Sequence, residues 1–195
     1  MINWLKATHS FNPKQETTLP SANLGKLKSG IFGNLQTVNY IKKLAHGNKG
    51  QPLIRRMAED IIMHYQVRDH YYLDEARAIG DFVKQNVRYI KDPDGIEMLR
   101  CPLMMVNEIR SKGATLGDCD DMALLVCTLL LSIGIRPQLK VVKYNENSSS
   151  FNHIYVVVEE SNHFTSPKTL VIDAIIKHEP IGYEVPHASG KLIQV

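Results

Sequence analysis

With 195 residues, 44% hydrophobic and 22% charged, the chain has the composition of an ordinary globular protein, long enough to bury a core without staples. Twelve Gly and nine Pro exclude collagen-like and wholly disordered classes, and three cysteines are too few and too odd a number for a disulfide framework. The net charge of +3 hides an asymmetry: residues 1–50 carry seven lysines against the single acid Glu16, while the remainder carries 16 basic and 19 acidic side chains. A basic segment on a mildly acidic body points to docking or tethering.

Residues 1–50 are rich in Asn, Ser, Thr, Gly and Lys and are expected to form a basic N-terminal extension that orders on contact with the body or a partner. Within them only Leu35 to Ala45 has a helical stripe, carried by Leu35, Val38, Ile41 and Leu44. Met1 to Lys6 leads into polar residues with no apolar signal-peptide core, so the expected location is the cytoplasm or a virion-associated assembly. Residues 51–195 are expected to form the folded domain. Ile54, Met57, Ala58, Ile61, Ile62 and Tyr65 repeat at helical spacing behind Pro52. A second helix is expected from Leu73 to Tyr89, with Asp74 and Glu75 in its first turn. Asp92-Pro-Asp-Gly95 reads as a turn, and a short helix spans Pro102 to Lys112, ended by Gly113.

The next unit carries the chemistry. Asp118 is placed to cap a run from Met122 to Ile133 that is apolar almost all round, with Asp121 as a weak capping-box partner and Gly134 as the stop. The apolar stretch is broken by Thr128, Ser132 and Gly134 and is too short to span a membrane. Three strands are expected from Gln138 to Tyr144, Ile154 to Glu160 and Leu170 to Ile176, with loops at 145–150 and 161–167. Helices first and strands later give an α+β domain with helices packed on a small antiparallel sheet.

Cys119 falls in the first turn of the buried helix, where free amides and the helix dipole favour a thiolate. Asp118, Asp120 and Asp121 oppose that effect, and a nearby protonated histidine would have to outweigh them. His153 starts the second strand. Asp173 lies inside an apolar strand, where a carboxylate without a partner would cost several kcal/mol. A hairpin centred near residue 163 would bring the two roughly opposite each other, and Asp173 would then hold the imidazole for proton transfer from Cys119. The competing readings are a buried structural cysteine and a structural strand histidine. Cys127, on the buried helix, is expected to be core, Cys101 incidental, and Tyr89 and Asn152 are expected to line a cleft. His64, His70, His163, His178 and His187 have no partner spacing, and no CxxC, HExxH, P-loop or Gly-x-Gly-x-x-Gly is present.

Gly117-Asp-Cys119-Asp-Asp121-Met-Ala-Leu-Leu, followed by Leu130-Leu-Ser-Ile-Gly134-Ile-Arg-Pro137, resembles the nucleophile segment of the transglutaminase-like superfamily. Phe151-Asn-His153-Ile-Tyr-Val-Val-Val resembles its histidine strand and Leu170-Val-Ile-Asp173-Ala its aspartate strand, and the likeness covers roughly residues 70–176. The resemblance implies a papain-like α+β core in which Cys119 is the nucleophile, His153 the general base and acid, and Asp173 the orienting group. It implies acyl transfer through a thioester, in a peptidase or amidase acting on a protein or peptide substrate and resembling the compact bacterial and phage-encoded members. No cofactor, nucleic acid or membrane partner is expected. One branch, the periplasmic calcium-dependent proteases that cut biofilm adhesins, has acids flanking its nucleophile, which makes Asp118 and Asp120 a calcium pair to set against the helix-cap reading. The alternative to an enzyme is a structural or scaffold protein, such as a phage particle component, attached through residues 1–50.

Overall fold

The computed structural model describes residues 22–25, 31–68, 70–93, 96–162 and 165–195. Two layers meet along one core. Helices α1 (Ile31–Asn48), α2 (Pro52–His64), α3 (Tyr72–Asn86) and α4 (Pro102–Lys112) gather around α5 (Cys119–Ser132). The other layer is a four-stranded antiparallel sheet. Its order is β7 (Thr165–Ile172), β6 (His153–Asn162), β5 (Pro137–Lys143), β8 (Ser189–Gln194). The fold is α+β. Two small ribbons complete it: β1 (Ala22–Gly25) pairs antiparallel with β3 (Glu97–Leu99), and β2 (Val87–Tyr89) pairs parallel with β4 (Thr115–Gly117). Among the described residues no helix is long and apolar enough to cross a membrane.

Helix α5 is central because its sequence allows no exposed side. Met122 to Leu130 is buried throughout, which matches an apolar pattern with no polar stripe. Leu139, Val141, Ile154, Val156, Val158, Leu170 and Ile172 join it from one face of the sheet. Val142, Tyr155, Val157 and Val171 form a smaller cluster on the opposite face. The basic segment contributes to the same core, since Val38, Ile41 and Ala45 of α1 are buried in it.

Several boundaries differ from the sequence expectation. The second helix stops at Asn86, and Val87 to Tyr89 cross into β2, because β-branched and aromatic residues there find a strand partner in β4. The expected loop at 161–167 is largely strand, with β6 running to Asn162 and β7 starting at Thr165. β7 in turn ends at Ile172, so Asp173 follows the strand rather than lying inside it. Ile172 pairs with Val156, and one further step of that register sets Asp173 against Tyr155. His153 is therefore its diagonal neighbour on the same face, not its opposite. Strand β8 is nearly all exposed and carries little hydrophobic pattern, so it leaves no strand signal in the sequence. Asp94, Gly95 and His163 lie outside the described residues.

Candidate active site

The α5 N-terminus is held by reciprocal bonds. Asp118 Oδ1 accepts the backbone N–H groups of Asp120 (3.0 Å) and Asp121 (3.2 Å), and Asp121 Oδ2 accepts the N–H of Asp118 (3.4 Å), completing a capping box. Asp121 Oδ1 also accepts the Arg100 N–H at 2.7 Å, tying the box to the chain entering α4. Gly117 makes the approach possible: a Cβ there would lie 2.7 Å from the Asp121 Cβ. Burial pushes the Asp121 carboxyl up to about 7, against the Arg100 amide that favours its charge.

Cys119 opens α5 from this box, partly buried. Its thiol donates to Asp120 Oδ1 at 3.5 Å, and the Ile154 backbone N–H donates to the sulfur. Burial raises the thiol well above its ordinary range; the Asp120 and Asp118 charges add to the rise, and the Ile154 amide only partly offsets them. Burial and the acids thus push the thiol in the same direction, against the thiolate that a helix end favours. Cys101 and Cys127 are fully buried. The Cys101 thiol donates to Asn48 Oδ1, and all three cysteines are free thiols.

His153 and Asp173 form the second half. The imidazole Nε2 lies 2.6 Å from Asp173 Oδ2, with the residues only 7% and 6% exposed. Asp173 turns toward the ring because the chain leaves β7 there, and its Oδ1 accepts the Ile175 N–H at 3.2 Å in a local turn. Tyr144 stacks on the imidazole (centroids 5.9 Å, planes 19° apart), and Tyr155 lies on it at 5.6 Å. The Tyr155 hydroxyl, within the sheet, donates to Glu184 Oε1 at 2.6 Å, and Lys140 also reaches that carboxylate.

Cys119 meets this half at residue 154, next to His153. Cys119, Met122, Ile154, Ile172 and Asp173 bound a hollow of about 10 Å³, too small for more than about one water. Tyr89 is half exposed, and partial burial together with the Cys119 and Asp118 charges raises its hydroxyl. Asn152 is exposed, and its backbone N–H donates to the Val142 carbonyl. Asp118 and Asp120, the calcium pair, are turned to the helix end and the thiol. Among the described residues no group of three or more His, Cys, Asp or Glu is arranged to hold a metal ion.

Three contributors were missed from sequence. Tyr144 ends the predicted strand at 138–144, and its position beside His153 follows only from the register that pairs Val142 with His153. Glu184 lies in a segment with no periodic pattern. Asn34, in the basic segment, gives its Nδ2–H to the Phe151 carbonyl (3.2 Å) and accepts the Phe151 N–H at Oδ1 (3.1 Å). This clasp holds the backbone two residues before His153.

No family model matches the chain, and no curated protein is matched by its sequence. Two solved structures are similar to it. LapG of Legionella pneumophila is 17% identical over 80% of this chain and 76% of its own, with a TM-score of 0.43. The EGTA-treated form of the same protein is 18% identical over 74% of each chain, with a TM-score of 0.44. The likeness is distant and lies at the level of the fold.

Proposed function

We propose that this chain is a cysteine-dependent hydrolase of the transglutaminase-like type, a peptidase or amidase that works through Cys119, His153 and Asp173. The observation that carries the proposal is the buried 2.6 Å contact between His153 Nε2 and Asp173 Oδ2, with Asp173 lining the same small hollow as Cys119, the first residue of a capped helix. A carboxylate accepting from Nε2–H fixes the tautomer that leaves Nδ1 as the proton acceptor. Because burial and two aspartates hold the Cys119 thiol neutral, the proton passes to His153 as the sulfur attacks, not beforehand.

In the first half-reaction Cys119 Sγ bonds to the amide carbon while Nδ1 takes the thiol proton. The C–N bond then breaks and the amine leaves with that proton. The Cys119 backbone N–H, in the first turn and without an intrahelical partner, faces the developing oxyanion. Water, deprotonated by His153, resolves the thioester to a carboxylic acid and restores the thiol. The substrate is a protein or peptide segment.

The test is incubation with a proteome-derived peptide library and mass-spectrometric reading of new termini. Wild type should generate a defined set that Cys119→Ala does not. Identical products from the two proteins would instead favour a structural role for the fold.

A further inference from the structure

The β2–β4 ribbon has two faces. Val87, Thr115 and Gly117 turn inward, and Tyr89 lies beside the Cys119 charge cluster. Arg88, Ile90 and Leu116 are exposed, and Arg88 and Leu116 are register partners on the outward face. That face borders two hollows of about 430 Å³ each, within the range of roughly 300–1,000 Å³ typical of ligand clefts. Arg88 lines both. The first also contains Ile90, Leu116, Arg100, Lys112 and Glu108; the second contains Lys84, Lys177 and Asp81.

Cations exceed carboxylates along this surface. Arg100 and Thr115 already hold Glu108: burial works to raise its carboxyl, and these hydrogen bonds, with the Lys112 charge, bring it below its ordinary range. Glu108 therefore balances Arg100 and leaves Arg88 and Lys112 as surplus charge around the half-exposed Ile90 and Leu116. A surface of this kind complements carboxylates interleaved with aliphatic side chains. It suits single-stranded nucleic acid less well, because no aromatic residue lines either hollow for base stacking.

We propose that the outward face of the β2–β4 ribbon is an exosite for an acidic, aliphatic segment of the protein substrate. The proposal rests on the hydrolase reading and assigns its substrate class. Leu116 and Cys119 are separated only by Gly117 and Asp118, so a segment seated at Arg88 delivers the adjoining chain around the ribbon edge toward Tyr89 and the thiol.

The experiment is fluorescence anisotropy of the full chain with a fluorescein-labelled peptide of alternating glutamate and leucine, at low salt. The controls are its glutamine counterpart and an oligothymidylate competitor. Wild type should bind the glutamate peptide about tenfold or more tightly than the glutamine peptide, and the Arg88→Glu/Lys112→Glu double variant should lose that preference. The double variant should alkylate Cys119 with iodoacetamide at the wild-type rate, since neither residue belongs to the catalytic group. No binding, equal binding of both peptides by wild type, an unchanged preference in the double variant, or stronger competition by oligothymidylate would each overturn the exosite. If the double variant does not fold, the wild-type comparison of the two peptides still decides. Failure of the hydrolase reading appears separately, as Cys119 alkylation indifferent to His153→Ala.

Discussion

The two halves of the site are built from opposite materials. The Cys119 half is polar: Asp118 and Asp120 bear on the sulfur, and the reciprocal backbone bonds of a capped helix end hold it in place. The His153 half is dry, with an imidazole held by one buried carboxylate and covered by Tyr144 and Tyr155. The difference separates two tasks. Charge around the nucleophile sets how readily it loses its proton, whereas packing around the base sets where that proton can go.

Perturbing each half should produce different signatures. The largest effect is expected at the dry half. Asp173→Ala removes the carboxylate that holds Nε2 and should lower turnover of any library peptide by about a hundredfold or more, measured as kcat/KM. In the polar half, Asp121 links pH to stability. Its carboxyl is raised from 3.8 to about 7 by burial, so the native state binds more protons than the unfolded state between those values. Its contribution is complete below about pH 4 and is lost as pH rises through about 7, a change on the order of 4 kcal/mol for that rise. Urea unfolding between pH 4 and 8 should show this slope, and Asp121→Asn should flatten it.

Two smaller effects refine the contrast. Asn34→Ala leaves the Phe151 backbone groups without their side-chain partner and should cost about 1 kcal/mol in urea unfolding. Asp120→Asn removes a charge that raises the thiol, so the pH midpoint of Cys119 alkylation should move down, with labelling at pH 7 faster by a few fold. A midpoint moving up would mean that Asp120 acts through geometry rather than charge.

What was legible in the sequence depended on how local its cause was. The α5 cap, the Asp121 box and the Gly134 stop were readable because each rests on neighbouring residues. The α+β order was readable because helical and strand patterns occupy separate stretches. β2 and β8 were not, since Val87 to Tyr89 continue a helical pattern until β4 pairs with them and β8 is nearly all exposed. At the site, the residue types and order of Cys119, His153 and Asp173 were legible, but the diagonal approach of Asp173 required the end of β7 at Ile172. The Asn34 clasp spans 117 residues and has no local signature. The thiol's direction of shift needed burial to be known, since the helix end and the aspartates pull against each other.

The central claim is that His153 serves the Cys119 sulfur. The most direct test is the iodoacetamide alkylation rate of each cysteine from pH 5 to 9, resolved by mass spectrometry, in wild type and His153→Ala. The account predicts that Cys119 labels faster than the fully buried Cys101 and Cys127, and that His153→Ala slows Cys119 alone by about tenfold or more. A Cys119 rate unchanged by the loss of His153 would contradict it.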